Sequence, residues 1–280
     1  MGEISRTTVN GVEVHIEGDH PRMVVMLHGW PDTYRLWDAS VAALKDHYCC
    51  VRFTLPGFDT AAPPRITSLD DMCELLQTIV DQVSPRVPVT LLLHDWGCVF
   101  GYEFAARFPD RVSRIVAVDI GDHNSAALAH ALTPGQRAQV FAYQFWLALA
   151  WKIGGAAGTW MTRWMARQMR CRSDPALIGW QMNYPYAMQW FGSAAGLRQL
   201  APVPSVSPML YIYGERKPFM FHSPQWLEAL AQRPDCAVRA LRTGHWVMVQ
   251  QPQVFNQCLR EWLEASDAIG PVPASTLAPN

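Results

Sequence analysis

A chain of 280 residues, half of them hydrophobic and 17% charged, can bury the core of one domain, with or without an insertion. A formal net charge of -1 and an isoelectric point near 6.7 leave no long-range field that favours nucleic acid or an anionic membrane. Seven cysteines without framework spacing, and no zinc-spaced Cys/His cluster, lead us to expect a cytoplasmic protein that needs no cofactor and no metal.

In chain order, MGEISRTTVNGVEVHIEG is polar and alternating and lacks the apolar core of a signal peptide; VEVHIEG within it reads as an edge strand. RMVVMLHGWP is a continuous apolar run ending in a glycine turn, the pattern of a buried parallel strand. RLWDASVAALKD follows as a helix, HYCCVRFTLPG as a strand and SLDDMCELLQTIVDQV as a helix. VPVTLLLHD, CVFGYEFAARFP and VSRIVAVDIG read as strand, helix and strand. After residue 200 come the strand PMLYIYGE, the helix SPQWLEALAQRP, the strand CAVRALRTG and the helix PQVFNQCLREWLEA. This alternation predicts an α/β fold, a mostly parallel central sheet flanked by helices.

Residues 123–200 break the rhythm: their apolar patterning is helical, and no convincing strand lies between Asp122 and Val206. They predict a helical lid inserted into the core, giving core residues 1–122, a lid 123–200, core residues 201–268 and a Pro- and Ala-rich tail 269–280 expected to be disordered. The most hydrophobic stretch, FAYQFWLALAWKIGG, is broken by Lys152 and two glycines and is short for a membrane span. Several of the twelve tryptophans fall between 146 and 190, which predicts an aromatic-walled subregion.

Functional groups of such a sheet belong at the carboxyl ends of its strands. Four places qualify: HGWP (28–31), HDWG (94–97), Asp119 at the end of IVAVD, and His245 in TGHW. Asp95 sits at a strand-to-helix elbow, where backbone N–H groups and the helix field stabilise an anion and project it as a nucleophile. Taken alone it could equally be an N-cap. His245, on a glycine-containing turn, has the freedom to act as general base, and Asp119 can orient its imidazole. No serine stands at the elbow, which disfavours a serine-type esterase.

HGWP, LLLHDWG, FPDRVSRIVAVD and TGHW resemble the α/β-hydrolase superfamily over residues 10 to 265, in the branch with an aspartate nucleophile that holds epoxide hydrolases and haloalkane and fluoroacetate dehalogenases. The resemblance implies an alkyl ester formed on Asp95 and hydrolysed by water that His245 activates. It also implies an oxyanion hole from the backbone N–H groups of Trp30 and Trp96. Many members carry the acid in a segment like GEKDPF; here GERKPF places Lys217 there, so Asp119 is the first candidate and Glu215 the reserve.

A dehalogenase of this branch pairs the tryptophan of HDWG with a second donor, an asparagine in one large subgroup, where this chain has Trp30. Fluoroacetate dehalogenases carry HDRG, and Trp96 replaces that arginine. Epoxide hydrolases protonate the opening oxygen with two lid tyrosines. VFAYQFWLAL resembles the segment that carries the first, at Tyr143. In MNYPYAMQW the register falls on Pro185, so Tyr186 is the second candidate and Tyr184 its alternative. His28 is expected to support the oxyanion loop and Pro31 to hold its turn, for which the resemblance implies a cis bond, and both are counted with the pocket; Phe141, Trp146 and Trp190 join Trp30 and Trp96 as pocket wall. The expected partners are a small apolar substrate and water, with monomer or homodimer left open. The first reading is an epoxide hydrolase, then a haloalkane dehalogenase using the same ester, then a non-catalytic binding protein.

Overall fold

The computed structural model describes residues 5–197, 200–205 and 207–269. Its sheet has the order β1-β2-β4-β3-β5-β6-β7-β8. The strands are β1 (Ser5–Val9), β2 (Val12–Glu17), β3 (Met23–Leu27), β4 (Cys49–Phe53), β5 (Val89–His94), β6 (Val112–Val118), β7 (Met209–Gly214) and β8 (Ala237–Leu241). From β4 onward the neighbours run parallel, whereas β1 with β2 and β2 with β4 are antiparallel.

The edge is one strand further out than the sequence patterning predicts. VEVHIE is interior, and SRTTV covers it through a hairpin whose turn is Asn10-Gly11, both at positive φ (49° and 77°). Two such residues suit a tight turn that follows the strand twist, and Asn-Gly is the pair that adopts it with least strain.

Side chains alternate across the sheet. Val25, Leu27, Leu91 and Leu93 face one layer, with α2 (Leu69–Val83) and α3 (Trp96–Arg107); Val24, Met26 and Leu92 face the other, with α1 (Asp38–Leu44) and α10 (Pro252–Ile269). Both faces are covered, so the central strands are apolar throughout rather than alternating. Ser68 caps α2 in a reciprocal box with Asp71, an arrangement that contributes about 1 kcal/mol. The predicted tail was placed from 269; α10 ends at Ile269, and residues 270–280 lie outside the described residues.

Between β6 and β7 the described residues form no strand. They fold into α4 (Ala126–Ala131), α5 (Pro134–Ile153), α6 (Gly155–Gln168) and α7 (Tyr184–Phe191), with α5 packed against both α6 and α7. Thr133 caps α5 with Pro134 behind it, and Gly154 (φ 66°) closes it. Buried carboxylates fasten both ends of this insertion. Asp122 accepts from the N–H and hydroxyl of Ser223, each at 2.6 Å, and from Ser125; Glu103 accepts from the Ala201 N–H at 2.8 Å. Such charge-assisted bonds are the stronger class, and they hold the helical layer over the strand ends. Ser223 also caps α8 (Pro224–Ala231), which packs on β8.

Candidate active site

Strand register does most of the assembly. His94 pairs with Val118 and Leu93 with Leu27. The next residues, Asp95, Asp119 and His28, therefore leave three neighbouring strands at one level. Past β8 the chain turns at Gly244 and delivers His245 to the same rim, followed by a short helix α9 (Val247–Gln250) that the sequence patterning does not predict.

Asp95 has φ 53° and ψ -122°, outside the regions that a side-chain-bearing residue readily adopts. Gly29 and Gly97 make the bend possible. A Cβ on Gly29 would collide with the Asp95 carboxylate and with the Trp96 nitrogen at 2.5 Å, and one on Gly97 would strike the His28 carbonyl at 2.6 Å. Asp95 makes no side-chain cap bond to α3. Its Oδ1 instead accepts from the Trp30 N–H at 2.7 Å, and its Oδ2 lies 3.4 Å from His245 Nε2.

The other imidazole nitrogen, Nδ1, bonds Asp119 Oδ2. Asp119, also at positive φ (73°) and fully buried, accepts on Oδ1 from the Gly214 N–H at 3.0 Å and from Lys217. Lys217 therefore does not displace the acid. It approaches from the far side as its counter-ion, at the place where the resemblance implied a carboxylate. Glu215 is half exposed and turned toward Arg242 at 3.6 Å, away from His245.

The charges follow from these contacts. Burial alone would raise the Asp119 carboxyl, but Lys217 and His245 hold it well below the usual range. Burial disfavours the His245 imidazolium, yet Asp119 and then Asp95 outweigh that and raise it to about 9. Burial acts upward on Asp95 as well, and the bond to His245 leaves it lowered and ionised. His94 lies beside His245, its ring tilted by 42° at 4.5 Å between centroids; burial, then the neighbouring imidazole, lower it to about 3, so it stays neutral.

Above Asp95 lies a cavity of about 310 Å³. Trp96 and Val99 lie beside Asp95, Ile120 and Phe221 bound it from the core, and the inserted helices add Tyr143, Gln144, Tyr186 and Trp190. Tyr143 and Tyr186 meet edge to face at 6.3 Å, and the Tyr186 ring also stands on Trp96 (5.2 Å) and Trp30 (6.0 Å). Burial, and secondarily the Asp95 charge, push the Tyr186 hydroxyl well up.

Several expected positions fall elsewhere. Tyr184 is one residue before Pro185 and turns inward against Phe58 at 5.8 Å, away from the cavity. Trp146 is inside the helical layer, bonded to the Met161 carbonyl and packed on Trp164. Phe141 is 47% exposed on the outer side of α5. Helical periodicity explains the pattern: Tyr143 and Phe141 are two residues, about 200°, apart on one helix. His28 and Pro31 do not line the cavity. His28 is buried beneath the loop, with Nδ1 on the Gly29 carbonyl (2.9 Å) and Nε2 accepting from the Leu55 N–H (2.9 Å); burial lowers it to about 4. Trp30-Pro31 is cis. Trp30 points its indole N–H away from the cavity to Asn183 Oδ1 at 2.7 Å, and Asn183 donates in turn to Thr162 at 2.7 Å.

Three residues were missed by sequence reasoning. Asn183 bridges Trp30 to the inserted helices. Gln144 donates to the Tyr143 hydroxyl and accepts from the Trp190 indole, each at 3.2 Å. Asp32, directly after HGWP, is buried between Trp246 (2.8 Å) and Ser173; burial raises it to about 6 against those two bonds. The signal for all three was adjacency to motif residues: Gln144 follows Tyr143, Asp32 follows HGWP, and Asn183 precedes Tyr184 in MNYPYAMQW.

A family model described as the alpha/beta hydrolase family matches residues 24–257. Among curated relatives, a cis-3-alkyl-4-alkyloxetan-2-one decarboxylase from Shewanella oneidensis is 31% identical over 117 residues, 40% of this chain and 37% of that protein. Epoxide hydrolase 2 of Caenorhabditis elegans is 20% identical over 89% of this chain and 76% of its own. The match thus spans well under half of the first relative's length, and 19% of the next. The crystal structure of a Bacillus megaterium epoxide hydrolase with an inhibitor superposes with a TM-score of 0.69 at 20% identity, covering 93% of this chain and 100% of that one; this likeness shows the fold.

Proposed function

The chain belongs to the alpha/beta hydrolase family, in its epoxide-hydrolase and haloalkane-dehalogenase-like branch, and we propose that it is an epoxide hydrolase that converts a small apolar epoxide to a vicinal diol. The observation that carries the reading is the pairing of Tyr143 and Tyr186 over Asp95 in one cavity, while the Trp30 indole is committed to Asn183.

In this reading the Asp95 carboxylate attacks an epoxide carbon, the carbon–oxygen bond breaks, and Tyr143 or Tyr186 gives its proton to the departing oxygen. A phenol suits this task because the acceptor becomes an alkoxide only as the bond opens. Ester formation removes the charge of Asp95, one of the two anions that hold His245 protonated. The imidazolium then releases its proton, which restores the tyrosine, and the neutral ring becomes the base that the second step needs. His245 takes a proton from water as the water oxygen attacks the Asp95 carbonyl carbon. Trp30 and Trp96 N–H groups receive the oxyanion; its collapse expels the alkoxide, which takes the remaining water proton from the new Asp95 carboxyl, releasing the diol and leaving Asp95 a carboxylate and His245 an imidazolium as at the start. Residues 123–200 are, on this reading, the lid that supplies the acids. A halide held between two indoles would need the Trp30 N–H freed from Asn183; with that bond made, Trp96 is the one indole of the pair left to donate.

Replacing His245 by Gln blocks the second step. With a styrene-type epoxide, intact-protein mass spectrometry is expected to show one equivalent retained at the full mass of the epoxide. A paired assay of the unmodified protein with that epoxide and a bromoalkane should yield diol and no bromide. Bromide without diol would overturn the reading, and a folded His245→Gln protein that traps neither substrate would remove the ester mechanism altogether.

A further inference from the structure

A net charge near zero conceals a strong partition. Residues 123–200 hold six arginines and one lysine against a single acid, Asp174, while the chain as a whole has 23 basic and 24 acidic residues. The inserted helices are therefore strongly basic and the α/β core is acidic. Arg137, Lys152, Arg167, Arg170 and Arg172 are exposed.

Apolar exposure is partitioned in the same way. Of the nine large hydrophobic side chains exposed among the described residues, seven belong to this segment. Four of them, Phe141, Phe145, Leu149 and Ile153, recur at every fourth residue and form one stripe along the outside of α5. Phe191 extends the stripe beside Phe145 (6.1 Å), and the Lys152 ammonium lies 5.3 Å from the Phe191 ring. A long cationic side chain set into an aromatic rim is the arrangement that lets its charge reach a headgroup while its stem stays apolar. The stripe also reaches the cavity. Phe141 and Phe145 pack edge-on against Trp190, and Trp190 lines the space above Asp95.

We propose that the outer face of α5 docks this protein peripherally on an anionic lipid surface, with the Phe141–Phe145–Leu149–Ile153 stripe and Phe191 in the headgroup boundary and, on the lipid phosphates, Lys152 and Arg137, which precedes Phe141 by four residues on the same helix. No helix among the described residues is long and apolar enough to cross a membrane. The charge decides between occupants. An apolar stripe alone would accept a second copy or a neutral bilayer, but a segment with seven cations and one anion favours a negatively charged sheet. Docking there would bring the Trp190 side of the cavity next to the phase in which an apolar substrate dissolves. The docking itself does not rest on the reaction proposed above.

The test is flotation of the full chain with vesicles of phosphatidylcholine alone and of phosphatidylcholine containing phosphatidylglycerol, at low and high salt. We expect binding to the anionic vesicles, little to the neutral ones, and a loss of about tenfold on raising the salt. Lys152→Glu should weaken the partition about tenfold, and Leu149→Ser with Ile153→Ser by a similar factor, roughly as expected for the apolar area withdrawn. Both variants change exposed positions outside the cavity, so turnover of a water-dissolved substrate should be retained and reports that they fold. Equal binding to neutral vesicles, no binding at low salt, or variants that bind as the parent does would each refute the proposal. A stable dimer in sedimentation that protects Ile153→Cys from a thiol reagent would assign the stripe to a second copy instead.

Discussion

The core rim and the helical layer above it solve different physical problems. At the rim, each oxygen of Asp119 and Asp95 has a named polar neighbour, and the residues come from strand ends whose register is set by backbone pairing. The helical layer offers the cavity few polar groups: the hydroxyls of Tyr143 and Tyr186, the amides of Gln144 and Gln189, and His123 at its start, set among apolar and aromatic side chains. On the proposed reading the rim serves one reaction sequence, ester formation and hydrolysis. On the same reading the layer above supplies the group that meets the departing atom, so that changes in α5 and α7 would alter the substrate while leaving the rim untouched.

The sharpest way to break that division is to damage the rim. Asp119→Asn should lower turnover by about 10³- to 10⁴-fold, the scale seen when a base loses its orienting acid. Steady-state diol formation measures it, and retention of more than a tenth of the activity would mean that another group orients His245. The layer comes next. Tyr143→Phe and Tyr186→Phe should each slow ester formation by about 10²-fold, within the range of general acid catalysis, and the double variant by more. Single-turnover trapping in the His245→Gln background isolates that step; unchanged trapping would remove the tyrosines from the chemistry.

A smaller effect tests Lys217. Its ammonium opposes the imidazolium through their shared partner Asp119. Lys217→Met should therefore raise the His245 pKa further, and the acid limb of kcat should move up by about one pH unit, since a pair of charges roughly 6 Å apart interacts on that scale in a partly polar site. A purely structural lysine would change kcat and stability without moving that limb. The smallest effect is expected for Glu215→Gln and Tyr184→Phe, both within about twofold in kcat/KM, the range of changes outside a site. A loss of 10²-fold for Glu215→Gln would reverse the roles given to the two acids.

The rim was the legible part. HGWP, HDWG, the aspartate of IVAVD and the histidine of TGHW stand at strand ends in a strand–helix alternation, and a parallel sheet must bring such ends together on one side. The lysine in GERKPF was legible as a departure but not as a partner. Whether a cation there repels the imidazole or neutralises the acid depends on which carboxylate oxygen it reaches, and that distance is set between β6 and β7. The upper layer was less legible. Tyr143, Phe141 and Trp146 lie within one short run of α5, and only its rotation against α6 and α7 decides that the first lines the cavity, the second meets solvent and the third is internal. The choice between Tyr184 and Tyr186 turned on the same rotation in α7.

By itself, then, the sequence determined the parallel sheet, the insertion and the residues on its strand ends, because hydrophobic period and glycine turns are local properties of the chain. Tertiary structure alone decided which of two acids reaches His245, where the Trp30 indole points, which aromatic rings face Asp95 and that the outer stripe of α5 is left uncovered. Each of these depends on the rotation and approach of elements distant in the chain, which no local pattern encodes.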